Sequence, residues 1–234
     1  MKGVFVTGTG TGVGKTVVAA VIARTLADEG KRVAVFKPAV TGLDEFAAGG
    51  RKGSTAGDLL AHPLGLAADH ELLRSAAGSK QGDEEIAPYR YGPPMSPHLA
   101  AEEAGETIDP KRLLDAARAA ADRADALVCE GVGGLLVPLG PTYLVRDLAT
   151  DLGLPLVIAA SPGLGTINHT LLTIEAARSA GLNVAAVVIT PWPGQPSTIE
   201  ESNRETIARL GAVRVETLRQ LELADHALWP PLAL

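Results

Sequence analysis

The chain of 234 residues has a single cysteine, no excess of basic residues and no apolar run long enough to cross a membrane. Each absence excludes a class of protein. Cys129 lies in an apolar stretch and reads as a small buried hydrophobe, not as a redox or metal centre. A net charge of −6 leaves no basic stripe for a nucleic acid. A helical membrane span needs about 20 consecutive apolar residues, which are missing here, and the segment after Met1 lacks a signal peptide's charged head and cleavage site. No low-complexity tract or internal repeat divides the sequence, and no Ser/His/Asp or Cys/His grouping suggests a protein nucleophile. With 46% hydrophobic residues the chain can bury one good core. These features predict one domain over residues 1–234, soluble and cytoplasmic, with no nucleic-acid or membrane partner.

What is present begins at Val4-Phe5-Val6-Thr7-Gly8, an apolar strand that feeds Thr9-Gly10-Thr11-Gly12-Val13-Gly14-Lys15-Thr16 and then a helical segment to Glu29. Strand, glycine-rich loop, Gly-Lys-Thr and helix together make a phosphate-binding P-loop. Glycines turn backbone N–H groups inward to form an anion nest, and the helix N-terminus adds its unpaired donors. Lys15 is placed for the β- and γ-phosphates, and the Thr16 hydroxyl for Mg²⁺. Two departures stand out. The glycine that usually precedes Gly-Lys by five positions is Thr9 here, with Gly8 one place earlier. Position 10, where many ATPases with a related loop carry a second lysine, is glycine, so a further phosphate cation must come from elsewhere.

Short apolar runs at residues 4–6, 33–36, 126–129, 155–160 and 184–189 alternate with helical patterns at 16–29, 110–123, 145–152, 167–180 and 198–210. That alternation predicts a mostly parallel sheet with helices on both faces, an α/β P-loop NTPase fold. Residues 41–57 and 78–97 read as long irregular loops, which in compact α/β proteins are more often functional than decorative.

Ligands of such sheets bind beyond the carboxyl ends of the strands. Lys37 follows the second strand and is either a solvated lysine or the missing phosphate cation. Glu130 ends a later strand and is either an ordinary strand-end carboxylate or a ligand, direct or through water, of Mg²⁺, which favours oxygen donors. Asp58 opens a helical stretch, as a dipole-stabilised first-turn residue or as a second metal carboxylate. The Gly165-Thr166 turn precedes a helix, as an anion site with Asn168 adding a donor, or as a helix cap with Thr166 the capping residue.

Taken together, the P-loop, Lys37-Pro38…Thr41-Gly42, Pro94-Met95-Ser96-Pro97-His98, Glu130-Gly131-Val132-Gly133-Gly134 and Leu164-Gly165-Thr166-Ile167-Asn168-His169 resemble the dethiobiotin synthetase family. The resemblance runs from residue 3 to about residue 190 and is loose beyond. It implies a homodimeric ligase of biotin biosynthesis, with active sites at the subunit interface, joining CO₂ to 7,8-diaminononanoate at the expense of ATP. It implies that Lys15, Lys37 and Thr11 surround the phosphates and carbamate, with Gly12, Val13, Gly14 and Thr16 in the nucleotide loop. It further implies that Thr16, Asp58 and Glu130 hold Mg²⁺ and that Thr41 stands where the family often has Ser. Leu164, Gly165, Thr166 and Asn168 would receive the substrate's carboxylate across the interface, which favours the anion site over the cap. Where many members have Asn to read adenine, this chain has Thr190-Pro191-Trp192-Pro193; Thr190, Pro191 and, by weak alignment, Glu222 are the expected base and ribose contacts. This leaves CTP open beside ATP. The competing class is a P-loop regulatory ATPase of the partitioning or metal-chaperone type. Gly10, and Glu130 in place of a switch Asp, speak against it.

Overall fold

A computed structural model describes residues 2–44 and 68–232. Its strands are β1 (Gly3–Gly8), β2 (Val33–Phe36), β3 (Ala126–Gly134), β4 (Leu156–Ala160), β5 (Val184–Trp192) and β6 (Val215–Arg219). The helices are α1 (Lys15–Asp28), α2 (Asp69–Ala77), α3 (Asp83–Ile86), α4 (Pro97–Glu103), α5 (Pro110–Asp122), α6 (Val145–Leu152), α7 (Thr166–Ser179) and α8 (Thr198–Gly211). The described strands form one sheet in the order β2-β3-β1-β4-β5-β6, and every pairing between them is parallel.

All five expected strands and five expected helices are present. The patterns missed β6 and helices α2 to α4. Strand β6, Val-Glu-Thr-Leu-Arg, is only partly buried and pairs on one side alone, so it lacks the continuous apolar run by which the central strands are recognised. The 78–97 stretch, read as irregular, contains the single-turn helix α3.

Alternation along the strands sorts the core into two layers. Phe5, Phe36, Leu127, Cys129, Ile158 and Ile189 point to the face covered by α5, α6, α7 and α8. Val6, Val35, Val128, Val157 and Val188 point to the face covered by α1 and α2. Cys129 is buried and free, as the sequence indicated. The C-terminal segment joins the α1 layer through Trp229 and Leu232; Leu232 N–H donates to Thr25 Oγ1 at 3.0 Å, and the Trp229 indole donates to the Glu222 carbonyl at 3.0 Å. On the outer edge of β2 a side chain replaces a strand. Gln81 Oε1 accepts from the Val35 N–H at 2.8 Å and Nε2 donates to the Val35 carbonyl at 3.1 Å, satisfying an edge that would otherwise invite another chain.

Among the described residues no helix is long and apolar enough to cross a membrane.

Candidate active site

The strand order puts a topological switch at β1. Chain connections leave β1 toward β2 and β3 on one side and reach β4 on the other, so the crevice at the carboxyl end of β1 is the expected ligand site. The P-loop occupies it. Gly14 adopts φ +87°, and a Cβ there would lie 2.5 Å from Thr190 Cγ2, so the loop packs directly on the end of β5. On its other flank, β3 runs on to Gly134, which is in register with Gly8. A Cβ on Gly134 would meet backbone atoms of Gly8 and Gly10 at 3.7–4.0 Å. The Glu130–Gly134 run thus continues the strand and lies along the loop, with a Cβ on Gly133 3.7 Å from Thr11 Oγ1.

Strand periodicity then aims the charged groups. Lys37 follows Phe36, and Glu130 follows Cys129, so both side chains fall on the α1 side of neighbouring strands β2 and β3. There they meet. Lys37 Nζ lies 2.7 Å from Glu130 Oε1 and 2.8 Å from Asp69 Oδ2. The Thr16 hydroxyl, at the start of α1, lies 2.9 Å from Glu130 Oε1 and 3.1 Å from Asp69 Oδ1 and can donate to either. Lys15 Nζ donates to the Gly10 carbonyl at 2.8 Å. Glu130 is wholly buried, Lys37 and Lys15 nearly so.

Burial shifts these groups. Lys15 is held down at about pKa 8, first by desolvation and then by Lys37, with Glu130 and Asp69 acting against both. Lys37 is also desolvated, yet two carboxylates at contact distance hold it above the usual lysine range. Glu130 is raised by burial and by Asp69, which outweigh the help of Lys37. Two carboxylates sharing one contacting ammonium are short of positive charge.

Asp58 lies outside the described residues. The carboxylate that stands beside Glu130 is Asp69, the first residue of α2, which the sequence reading passed over. Its signal was present: an acidic residue opening the helix-period run Asp69–Ala77. Acidic residues open many helices, though, and nothing local points this one at Thr16, 53 positions away.

Two further motifs are joined by backbone pairing. Gly42 N–H donates to the Pro93 carbonyl at 3.0 Å, and Val40 forms a parallel bridge with Arg90. The Thr41-Gly42 segment is therefore stitched to the run leading into Pro94–His98. The Leu164–Asn168 turn stands at the end of β4. Its N-cap is Gly165, at φ +90°, with no side-chain cap. Thr166 is the first helical residue and its buried hydroxyl has no hydrogen-bond partner, so the capping role weighed for Thr166 does not hold. Leu164 is fully exposed and Asn168 exposed. At the far rim Thr190 is buried, Pro191 half-buried and Glu222 exposed.

The donors around Thr16 suit a hard divalent cation: two carboxylates and a hydroxyl, all oxygen, with Glu130 Oε2 buried and without a partner. A P-loop, a buried lysine and paired carboxylates at the switch point of a parallel sheet define a nucleotide-dependent P-loop enzyme. Residues 2–219 match a family model described as an AAA domain.

Comparison with known proteins narrows the class. The chain is 40% identical over 210 residues to the ATP-dependent dethiobiotin synthetase BioD of Anaeromyxobacter dehalogenans (strain 2CP-C), covering 90% of this chain and 86% of that one. It is 35% identical over 215 residues to the protein of the same name from Bacillus subtilis (strain 168), covering 92% and 85%. It belongs to the dethiobiotin synthetase family. Among solved structures, a ParA family ATPase from Chlorobium tepidum TLS superposes with a TM-score of 0.54 over 97% of this chain and 90% of its own, at 15% identity, a likeness of fold alone.

Proposed function

We propose that the chain is a dethiobiotin synthetase: a ligase that carboxylates 7,8-diaminononanoate with CO₂ and closes the cyclic urea, driven by a nucleoside triphosphate. Supporting it most directly is the meeting of Lys37, Glu130, Asp69 and Thr16 at the mouth of the P-loop, in a chain that belongs to this family. One substrate amine adds through nitrogen to CO₂ and loses a proton, giving a carbamate. A carbamate oxygen attacks the γ-phosphorus, the bond to the β-phosphate oxygen breaks, and the nucleoside diphosphate leaves. The second amine attacks the carbamoyl carbon and gives up a proton, inorganic phosphate departs with its oxygen, and the ring closes.

The residues serve these steps by binding and orientation, so no protein nucleophile is required. Loop amides from Gly12 to Thr16 cradle the phosphates, Lys15 spans them, and Thr11 lies along the loop toward Gly133. Lys37 supplies positive charge to the carbamate and the transferring phosphoryl group, and Thr41 lines the substrate end. Thr16, Asp69 and Glu130 are the residues that would hold Mg²⁺, which when bound neutralises charge on the β- and γ-phosphate oxygens. We take the protein to be one domain acting as a homodimer. The exposed Leu164-Gly165 turn, with Thr166 and Asn168, then receives the distal carboxylate of substrate bound mainly to the partner subunit. Thr190, Pro191 and Glu222 lie toward the base and ribose, a set without the amide side chain that pairs with adenine's edge, so CTP is a candidate co-substrate beside ATP.

The test is product formation from diaminononanoate and bicarbonate with each of the four ribonucleoside triphosphates. Phosphate release that requires the diamine is expected. Release that ignores it would favour a regulatory ATPase.

A further inference from the structure

The two carboxylates around Thr16 already have a cation in contact with both. Lys15 and Lys37 bring two positive charges to Asp69 and Glu130, and Lys37 Nζ contacts both carboxylates at 2.7–2.8 Å. The Thr16 hydroxyl is turned toward the same two side chains. An ammonium therefore sits between the oxygens that a divalent cation would need. An ammonium and a divalent cation cannot both hold the same pair of carboxylates at contact distance, because Lys37 and Glu130 are buried and the repulsion between the two cations is poorly screened there. Loading must be an exchange.

We propose that Lys37 is a latch on the metal seat. In the nucleotide-free protein its ammonium stands in for the divalent cation between Asp69 and Glu130, and metal binding displaces it toward the phosphates. The inference rests on reading Thr16, Asp69 and Glu130 as that seat. The flexible four-carbon stem of lysine allows the swing, while β2, fixed in register against β3, holds its root. The reacting cation is then released only when the metal is in place, so that a metal-free nucleotide meets a site whose second lysine is still engaged. The latch also explains how the buried Glu130 carboxylate is tolerated close to the partly exposed Asp69, where unpaired it would be costly.

The experiment uses manganese(II) alone, without nucleotide, titrated into the full chain while free ion is followed by electron paramagnetic resonance. Lys37→Gln removes the competing charge and should tighten Mn²⁺ binding by about tenfold or more, the scale of one charge-assisted contact. Lys37→Arg keeps a cation in place and should remain close to wild type. Glu130→Gln should weaken binding in either background. Unchanged affinity in a folded Lys37→Gln protein overturns the latch, whereas Mn²⁺ binding indifferent to Glu130→Gln overturns the metal seat itself. A second measurement needs no variant. Reductive methylation of wild-type lysines, read by mass spectrometry, should label Lys37 several-fold faster with saturating Mn²⁺ than without, and equal labelling refutes the exchange.

Discussion

Lys15 must be charged to hold phosphate, yet the folded protein resists that charge. Its ammonium is buried and its pKa stands at about 8 against an ordinary 10.5, a difference worth about 3 kcal/mol at 1.36 kcal/mol per unit. The folded pKa is the lower one, so between pH 8 and 10.5 the unfolded chain binds more protons and stability rises with pH. The cost of the buried charge is present in full below pH 8 and is relieved by about pH 10.5. Nucleotide reverses the balance, because bound phosphates favour the ammonium. Binding above pH 8 should therefore take up a proton: about 0.9 per site at pH 9 and about 0.1 at pH 7. Calorimetry with a non-hydrolysable triphosphate, in buffers of different ionisation enthalpy, measures this directly. Affinity should weaken toward tenfold per pH unit above 8. Lys15→Met should stabilise the nucleotide-free protein at pH 7 by up to about 3 kcal/mol, a gain that fades by about pH 10.5. Proton uptake near zero at pH 9, or a Lys15→Met protein no more stable than wild type at pH 7, would refute the reasoning.

Three other predictions rest on separate observations. Gly14→Ala should cost at least tenfold in nucleotide affinity, because its Cβ meets Thr190 Cγ2 at 2.5 Å and its φ is +87°; adding Thr190→Ser should recover part of the loss by removing that methyl, and no recovery would place the damage in the backbone alone. An Asn168→Ala subunit mixed with a Lys15→Ala subunit should regain activity at one of two sites, since each half-site would then come from a different chain; inactivity of the mixed dimer would show that both residues serve one chain's site. Gln81→Leu should destabilise the protein by about 2 kcal/mol or more, measured by urea unfolding, as it strips partners from both polar groups of Val35, and it should leave nucleotide affinity unchanged.

Local pattern went a long way in this chain. The P-loop declares itself because strand, glycines, Lys15, Thr16 and helix are contiguous. Lys37 and Glu130 stood out as charged residues at the carboxyl ends of apolar strands, and the buried thiol of Cys129 followed from its apolar run. The Gly165-Thr166 turn was legible as a helix start, but which residue caps it was not: the N-cap is Gly165, and the Thr166 hydroxyl is buried without a partner.

Other features were set by tertiary structure. Lys37 and Glu130 touch because β2 and β3 are neighbours, and no local rule orders strands that lie 90 residues apart. Edge strand β6 and the C-terminal segment on α1 acquire their positions only by packing, since neither carries a periodic apolar signal of its own. Asp69 is the clearest case. Its sequence neighbourhood describes only an acidic helix start; the docking of α2 on α1 brings its carboxylate against Thr16 and Lys37, 53 positions away from the former. The sequence by itself determined the P-loop and the charged groups at its strand ends; the packing of α2 on α1 brought Asp69 beside them, because that contact depends on distance in space and not along the chain.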